Sequence, residues 1–251
     1  MKIYANFKMN KTSSEIKRYF YEFVPLAEKM KHEFTFMLPF TSLALGRFLT
    51  EGGNIKIGAQ NLCEEEVGEN TGEISASMLK DVGVQSVLVG HYERRTKYKE
   101  TSRTINKKIK LALKNGLEVV LCVGETLTER NTLKGRESLQ SQIEEALKGL
   151  YENELENIVI AYEPVWAVGT GTMPTAKEIE KAVSAIRKVI ADDFSIEAGE
   201  KINVVYGGSL NEKNISLVSK ISLLDGILIG NSALKCENLV KIAKALPVKE
   251  G

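Results

Sequence analysis

Three side chains of this sequence, Glu163, His91 and Lys8, have the types and settings needed to move a proton. The stretch Ile158–Gly171 reads IVIAYEPVWAVGTG, a short apolar strand that stops at a single carboxylate, Glu163. Pro164, Val165, Trp166 and Gly169-Thr170-Gly171 follow it. A lone acid at the mouth of a buried strand, before a loop stiff at one end and flexible at the other, suits a base under a closing lid, with Trp166 as apolar cover. The competing reading is a strand-to-helix connection with an incidental Glu, since short motifs match by accident. Lys8 follows another apolar run, in Asn6-Phe7-Lys8-Met9-Asn10, and is either a partner for an anionic substrate or a solvated lysine. His91, one of two histidines with His32, stands in Gly90-His91-Tyr92-Glu93-Arg94-Arg95. A histidine after a strand and beside such charges is a better acid–base candidate than a lone one. Gly207-Gly208-Ser209 and Gly230-Asn231-Ser232 are small-residue loops after the last two strands, where barrels often bind phosphate through backbone N–H groups; tight turns are the plain alternative. Gln60 and Asn61 read as structural amides, and Cys122 as an inert core thiol.

These residues need a scaffold that gathers strand ends. Apolar, β-branched runs begin near Ile3, Phe34, Ile55, Ser86, Glu118, Ile158, Ile202 and Leu224, and helical patterns lie between them. Ile105, Ile109, Ala112 and Leu113 form one helical face, and Ala182, Ala185, Ile186 and Val189 another. Thr12 and Glu15 suggest a capping box, and Asn115-Gly116 a helix stop. Strand–helix alternation implies parallel strands with right-handed crossovers. Eight units close into an α/β fold of (β/α)8 barrel type, here one domain over residues 1–251. An open doubly wound sheet is the rival, but Pro174 stands where a nucleotide-binding third glycine would be and no GxxxxGK[ST] occurs. In a barrel, the chemistry sits at the C-terminal strand ends.

Composition excludes other classes. The 251 residues carry a net charge of +1 with mixed signs, unlike the concentrated basic face of a nucleic-acid binder. Cys63, Cys122 and Cys236 are widely spaced and odd in number, which fits reduced thiols in a cytoplasmic protein. In such a protein the glycosylation tripeptides at Asn10 and Asn214 mean little. No signal-like start and no run of roughly 18 apolar residues is visible, so no membrane role is expected. Neither metal-ligand spacings nor a GxSxG nucleophile elbow occur. One carboxylate, one imidazole, one lysine and an anion-binding corner suit proton transfer beside a carbonyl in a small phosphorylated substrate, with no metal and no cofactor.

The segments ANFKMN (Ala5–Asn10), GAQN (Gly58–Asn61), TGE (Thr71–Glu73), GHYERR (Gly90–Arg95), AYEPVWAVGTG (Ala161–Gly171) and YGGS (Tyr206–Ser209) occur in this order, at strand ends or in loops. Together they resemble the triosephosphate isomerase family, from Ile3 to about Leu246. The resemblance implies a glycolytic and gluconeogenic isomerase acting on a small phosphorylated triose, D-glyceraldehyde 3-phosphate or dihydroxyacetone phosphate. It implies that Glu163 is the base, that a neutral His91 polarises the carbonyl, and that Lys8 stabilises the enediolate. Asn6 and Glu93 would hold Lys8 and His91, and N–H groups of Gly169, Ser209, Gly230 and Asn231 would grip the phosphate. The Pro164–Pro174 loop would close and exclude water. The loop Leu62–Asn70, leading to Thr71, would enter a second subunit to form a homodimer.

Several residues depart from that family's usual pattern. Tyr92 replaces a usual Ser and is expected to crowd Glu163, altering its resting position and reducing activity. Met173-Pro174 stiffens the far hinge and is expected to change lid kinetics. Asn231 replaces a usual Gly and is expected to weaken phosphate binding modestly, being tolerant of left-handed geometry. Asn70 makes the dimer contact less apolar. The alternatives are a catalytically weakened phosphate-binding or interaction barrel, and another phosphosugar isomerase on the same scaffold.

Overall fold

Each strand pairs in parallel with the next, and the last pairs with the first: β1 Lys2–Asn6, β2 Glu33–Leu38, β3 Ile55–Ala59, β4 Ser86–Val89, β5 Glu118–Val123, β6 Ile158–Tyr162, β7 Asn203–Gly207 and β8 Gly226–Ile229. The computed structural model, which describes residues 1–132, 135–167 and 173–248, is a closed (β/α)8 barrel with helices between successive strands. Closure comes from the register Lys2↔Gly226 to Ala5↔Ile229. β7 and β8 begin one and two residues later than the apolar runs suggest. Asp225 is the reason: its carboxylate accepts the Val204 N–H and the Arg187 guanidinium, each at 2.9 Å, so the chain enters β8 as a pinned turn.

The period of two along each strand separates two cores. Tyr4, Met37, Leu88, Val120, Cys122, Val159, Ala161, Val205 and Leu228 fill the inside of the barrel. Their alternates, such as Ile3, Phe36, Val87, Leu121, Ile160 and Ile227, face the helices. The expected helical faces are present with adjustments. Ile105, Ile109 and Ala112 are buried while Leu113 is half-buried, and Val183 and Ile190 join Ala182, Ile186 and Val189 where Ala185 is half-buried. The Thr12 N–H donates to Glu15 Oε2 at 2.7 Å, which caps the helix Ser13–Ala27. Among the described residues no helix is long and apolar enough to cross a membrane.

Candidate active site

The alternation that fills the barrel also aims the acid. Val159 and Ala161 point inward, so Glu163, two residues further and just past β6, points inward too. By the same parity Asn6 and Lys8 leave β1 on the inner side. His91 does not follow parity. Gly90, at φ +71°, reverses the chain after β4, and His91 becomes the N-cap of the helix Tyr92–Lys97. A side chain at Gly90 would be strained. These ends meet around a cavity of about 430 Å³, a normal size for a small-ligand site, which also reaches Ser209, Gly230 and Asn231.

Within it, His91 Nε2 lies 3.1 Å from Glu163 Oε1, and the Tyr92 N–H donates to Glu163 Oε2 at 3.3 Å. The Glu93 N–H donates to His91 Nδ1 at 3.3 Å. This contact suits the tautomer that carries its proton on Nε2, directed at the carboxylate. Lys8 Nζ donates to Glu93 Oε1 at 2.8 Å. Lys8 itself has φ +50°, a left-handed conformation that costs a residue with a Cβ about 1–2 kcal/mol. Two amides hold it there: Asn6 Oδ1 accepts the Lys8 N–H, and Gln60 Nε2 donates to the Lys8 carbonyl, each at 2.9 Å. Gln60 is therefore structural, as its sequence setting suggests, but what it supports is the site. Arg95 braces the floor by donating to the carbonyls of Gly90 at 2.8 Å and Cys122 at 3.2 Å.

Burial pushes the Glu163 carboxyl up, but His91, the Tyr92 N–H and the Cys122 thiol together bring it below its ordinary 4.5. Burial also pushes the Cys122 thiol well up, and the neighbouring Glu163 carboxylate adds to the rise, which keeps it unreactive. Burial likewise opposes charge on Glu93 and Lys8, and their mutual hydrogen bond outweighs it, so Glu93 titrates lower and Lys8 higher than usual. The site thus keeps a free carboxylate and an ammonium at neutral pH. Followed by 13C NMR, the Glu163 carboxyl is expected to titrate below 4.5. A lowered value leaves the ionised base in full supply above it. Any acid limb of kcat/KM near pH ~6 then belongs to the second ionisation of a phosphate ester rather than to Glu163. A midpoint at or above 4.5 would refute this.

Comparison with known proteins agrees with this geometry. The family model described as triosephosphate isomerase matches residues 1–246. The chain belongs to the triosephosphate isomerase family. The triosephosphate isomerase of Caldanaerobacter subterraneus subsp. tengcongensis is 42% identical over 240 residues, 96% of this chain and 97% of that one. That of Dictyoglomus thermophilum is 41% identical over 244 residues, 97% and 98% of the two chains. Among solved structures, the triosephosphate isomerase of Bartonella henselae superposes with a TM-score of 0.86 at 33% identity, covering 97% of this chain and 98% of the other. The weakened-barrel alternative is not favoured by these matches.

Three expectations change in detail. The Tyr92 phenol does not engage Glu163: its hydroxyl donates to Glu93 Oε1 at 3.2 Å, and only its backbone N–H reaches the base. Trp166 is not apolar cover for the site. Its Nε1–H donates to Glu125 Oε1 at 2.8 Å, and Arg130 lies 3.6 Å above its ring, so the start of the loop is fastened to the outside of the barrel. Glu125 also accepts the Tyr162 hydroxyl at 2.9 Å. No sequence signal beyond a carboxylate after a strand marks Glu125, because its partners come from the next strand and loop. Asn231 is not among the residues with positive φ, so left-handed tolerance is not what admits Asn there. Pro174 is buried immediately before Thr175, the N-cap of Ala176–Asp193. Gly169 and the rest of 168–172 lie outside the described residues.

The glycines beside Glu163 have a packing reason. A Cβ at Gly124 would stand 1.7 Å from the Glu163 carbonyl oxygen, and one at Gly207 would stand 2.9 Å from Glu163 Cγ. Strands β5 and β7 can flank the base this closely only without side chains at these two positions.

Proposed function

We propose that this barrel interconverts D-glyceraldehyde 3-phosphate and dihydroxyacetone phosphate, with Glu163 as the base, His91 as the electrophile and Lys8 as the fixed cation. The observation that carries the reading is the convergence of Glu163, His91 Nε2 and Lys8 on one cavity that ends in the small-residue loops at Ser209 and Gly230-Asn231. Glu163 takes the proton from the carbon beside the carbonyl and returns it to the neighbouring carbon. The carbonyl electrons move onto oxygen, and the resulting enediolate charge falls between the His91 Nε2–H and the Lys8 ammonium; His91 gives its Nε2 proton to that oxygen and takes the proton of the neighbouring hydroxyl, whose oxygen becomes the new carbonyl. Fixed donors in a site shielded from water stabilise such charge far better than water does. Asn6 and Glu93 hold the Lys8 backbone and ammonium respectively, and Glu93 also sets the His91 tautomer through its N–H. Ser209, Gly230 and Asn231 take the phosphate through backbone N–H groups, joined on the sequence argument by Gly169. The protein's own residues supply every step, so no cofactor or metal is needed. A coupled assay of glyceraldehyde 3-phosphate conversion tests the reading. Turnover of at least about 10² s⁻¹, well within the enzyme range, is expected, and none at micromolar enzyme would end it.

The same reading makes the functional unit a homodimer joined through the loop around Thr71. Loop and site are adjacent, because Gln60 just ahead of the loop holds the Lys8 carbonyl. Met9, beside Lys8, is 97% exposed and Val67, in the loop, is 84% exposed, as befits side chains that a second copy covers. Glu64 and Glu66 of the loop pair with Lys107 and Lys114 of the same chain, which orders it before any partner arrives. Sedimentation at micromolar concentration is expected to give twice the chain mass, and a monomer throughout would refute the dimer. Three buried, unpaired cysteines fit a cytoplasmic, reducing setting.

A further inference from the structure

Glu163 meets Tyr92 only through the backbone, and the phenol is free to do something else. It spans the cavity side of the helix Tyr92–Lys97 and touches the site in three ways. Its hydroxyl donates to Glu93 Oε1 at 3.2 Å, the same oxygen that takes Lys8 Nζ at 2.8 Å. Its ring face lies beneath Lys8 Nζ, 5.2 Å from the centroid. The ring also packs against the His91 imidazole, with centroids 4.7 Å apart.

We propose that the Tyr92 side chain is a positioning residue for Lys8, fixing the ammonium from below by its ring and from the side through Glu93. A lysine ammonium sits on a flexible four-carbon stem and holds no geometry by itself. The tethers of Asn6 and Gln60 end at the Lys8 backbone and leave that stem unconstrained. Glu93 alone would still let the ammonium swing about its carboxylate. The hydroxyl of Tyr92 occupies one side of Oε1 and so restricts the direction from which Lys8 bonds it. The π face then attracts the cation from a second, nearly independent direction. Burial raises the Tyr92 phenol above its ordinary value, so its proton stays available for Glu93. The proposal rests on the isomerase reading insofar as it assigns a purpose to the tether.

Two measurements test it, one of which needs no turnover. The Lys8 ε-methylene proton signals, assigned with Lys8→Met, are expected to lie upfield in the wild type from the ring current and to return to ordinary values in Tyr92→Leu. Signals that do not move overturn the proposal. The second is a double-mutant cycle on kcat/KM. Tyr92→Phe, which keeps the ring, is expected to lose about threefold, and Tyr92→Leu at least about tenfold, both figures scaled to a weak hydrogen bond and a cation–π contact. In a Lys8→Met background both effects are expected to vanish, because the cation they position is gone. Equal losses in both backgrounds would mean a merely structural role and overturn the proposal, as would no loss in either. If the wild type shows no turnover while the Lys8 signals behave as stated, the isomerase reading fails and the tether stands.

Discussion

Glu163→Gln is expected to lower kcat for triose phosphate isomerisation by about 1,000- to 10,000-fold, the scale of a well-placed general base at neutral pH. The substitution keeps the shape of the side chain and an oxygen to accept the Tyr92 N–H. It removes the negative charge and the ability to take a proton, and it turns an amide NH2 toward His91 Nε2. Gln is uncharged and fully buried here, so it brings no desolvation cost of its own, and the barrel is expected to melt within a few degrees of the wild type. The affinity for inorganic phosphate is expected to change little, since the phosphate is assigned to backbone N–H groups of Ser209, Gly230 and Asn231, which the substitution leaves in place. Steady-state kinetics beside calorimetric phosphate binding check both halves. A barrel that only bound phosphate or a partner would be indifferent to the change. A variant with a tenth or more of wild-type turnover would remove Glu163 as the base.

How far this site was legible in the sequence depends on the kind of contact that makes it. The eight strands and their closure follow from period-two apolar runs separated by helical patterns, and even the inward aim of Glu163 follows from its parity with Val159 and Ala161. Parity fails at His91, where Gly90 reverses the chain, and the motif rather than the pattern marks that residue. β8 starts two residues past the apolar run because the pinning of Asp225 by Val204 and Arg187 is a long-range contact. The sequence shows Cys122 only as a core thiol and does not mark Glu125, for the same reason. Their importance lies in Trp166, Tyr162 and Glu163, which are 37 or more residues away in the chain. Tyr92 shows a further gap: its size was legible, but its direction was not. A side chain at the first position of a helix can turn either way, and Lys8 and Glu93, brought in by β1 and by the next helical residue, decide it.

Lys8→Met is expected to reduce kcat/KM by about 1,000-fold or more, above the loss usual for one neutral oxyanion-hole donor, because a full charge is removed. The reason reaches past the missing ammonium. Glu93, held low by its bond to Lys8, would remain as a carboxylate facing the cavity without its partner. It would then repel the very negative charge that develops on the substrate. Breaking one half of a shielded pair is worse than removing both. Lys8→Met with Glu93→Gln is therefore expected to be less impaired than the product of the two single losses, by about tenfold, the size of coupling found between contacting residues. The left-handed backbone at position 8 gives a control. Met carries a Cβ just as Lys does, so the strain held by Asn6 and Gln60 is unchanged and stability should move little. Kinetics of the two single variants and the double, each with its thermal midpoint, check the cycle. Strict multiplicativity would mean that Glu93 acts on His91 alone. A double variant as active as wild type would mean that the cation has no part in the chemistry.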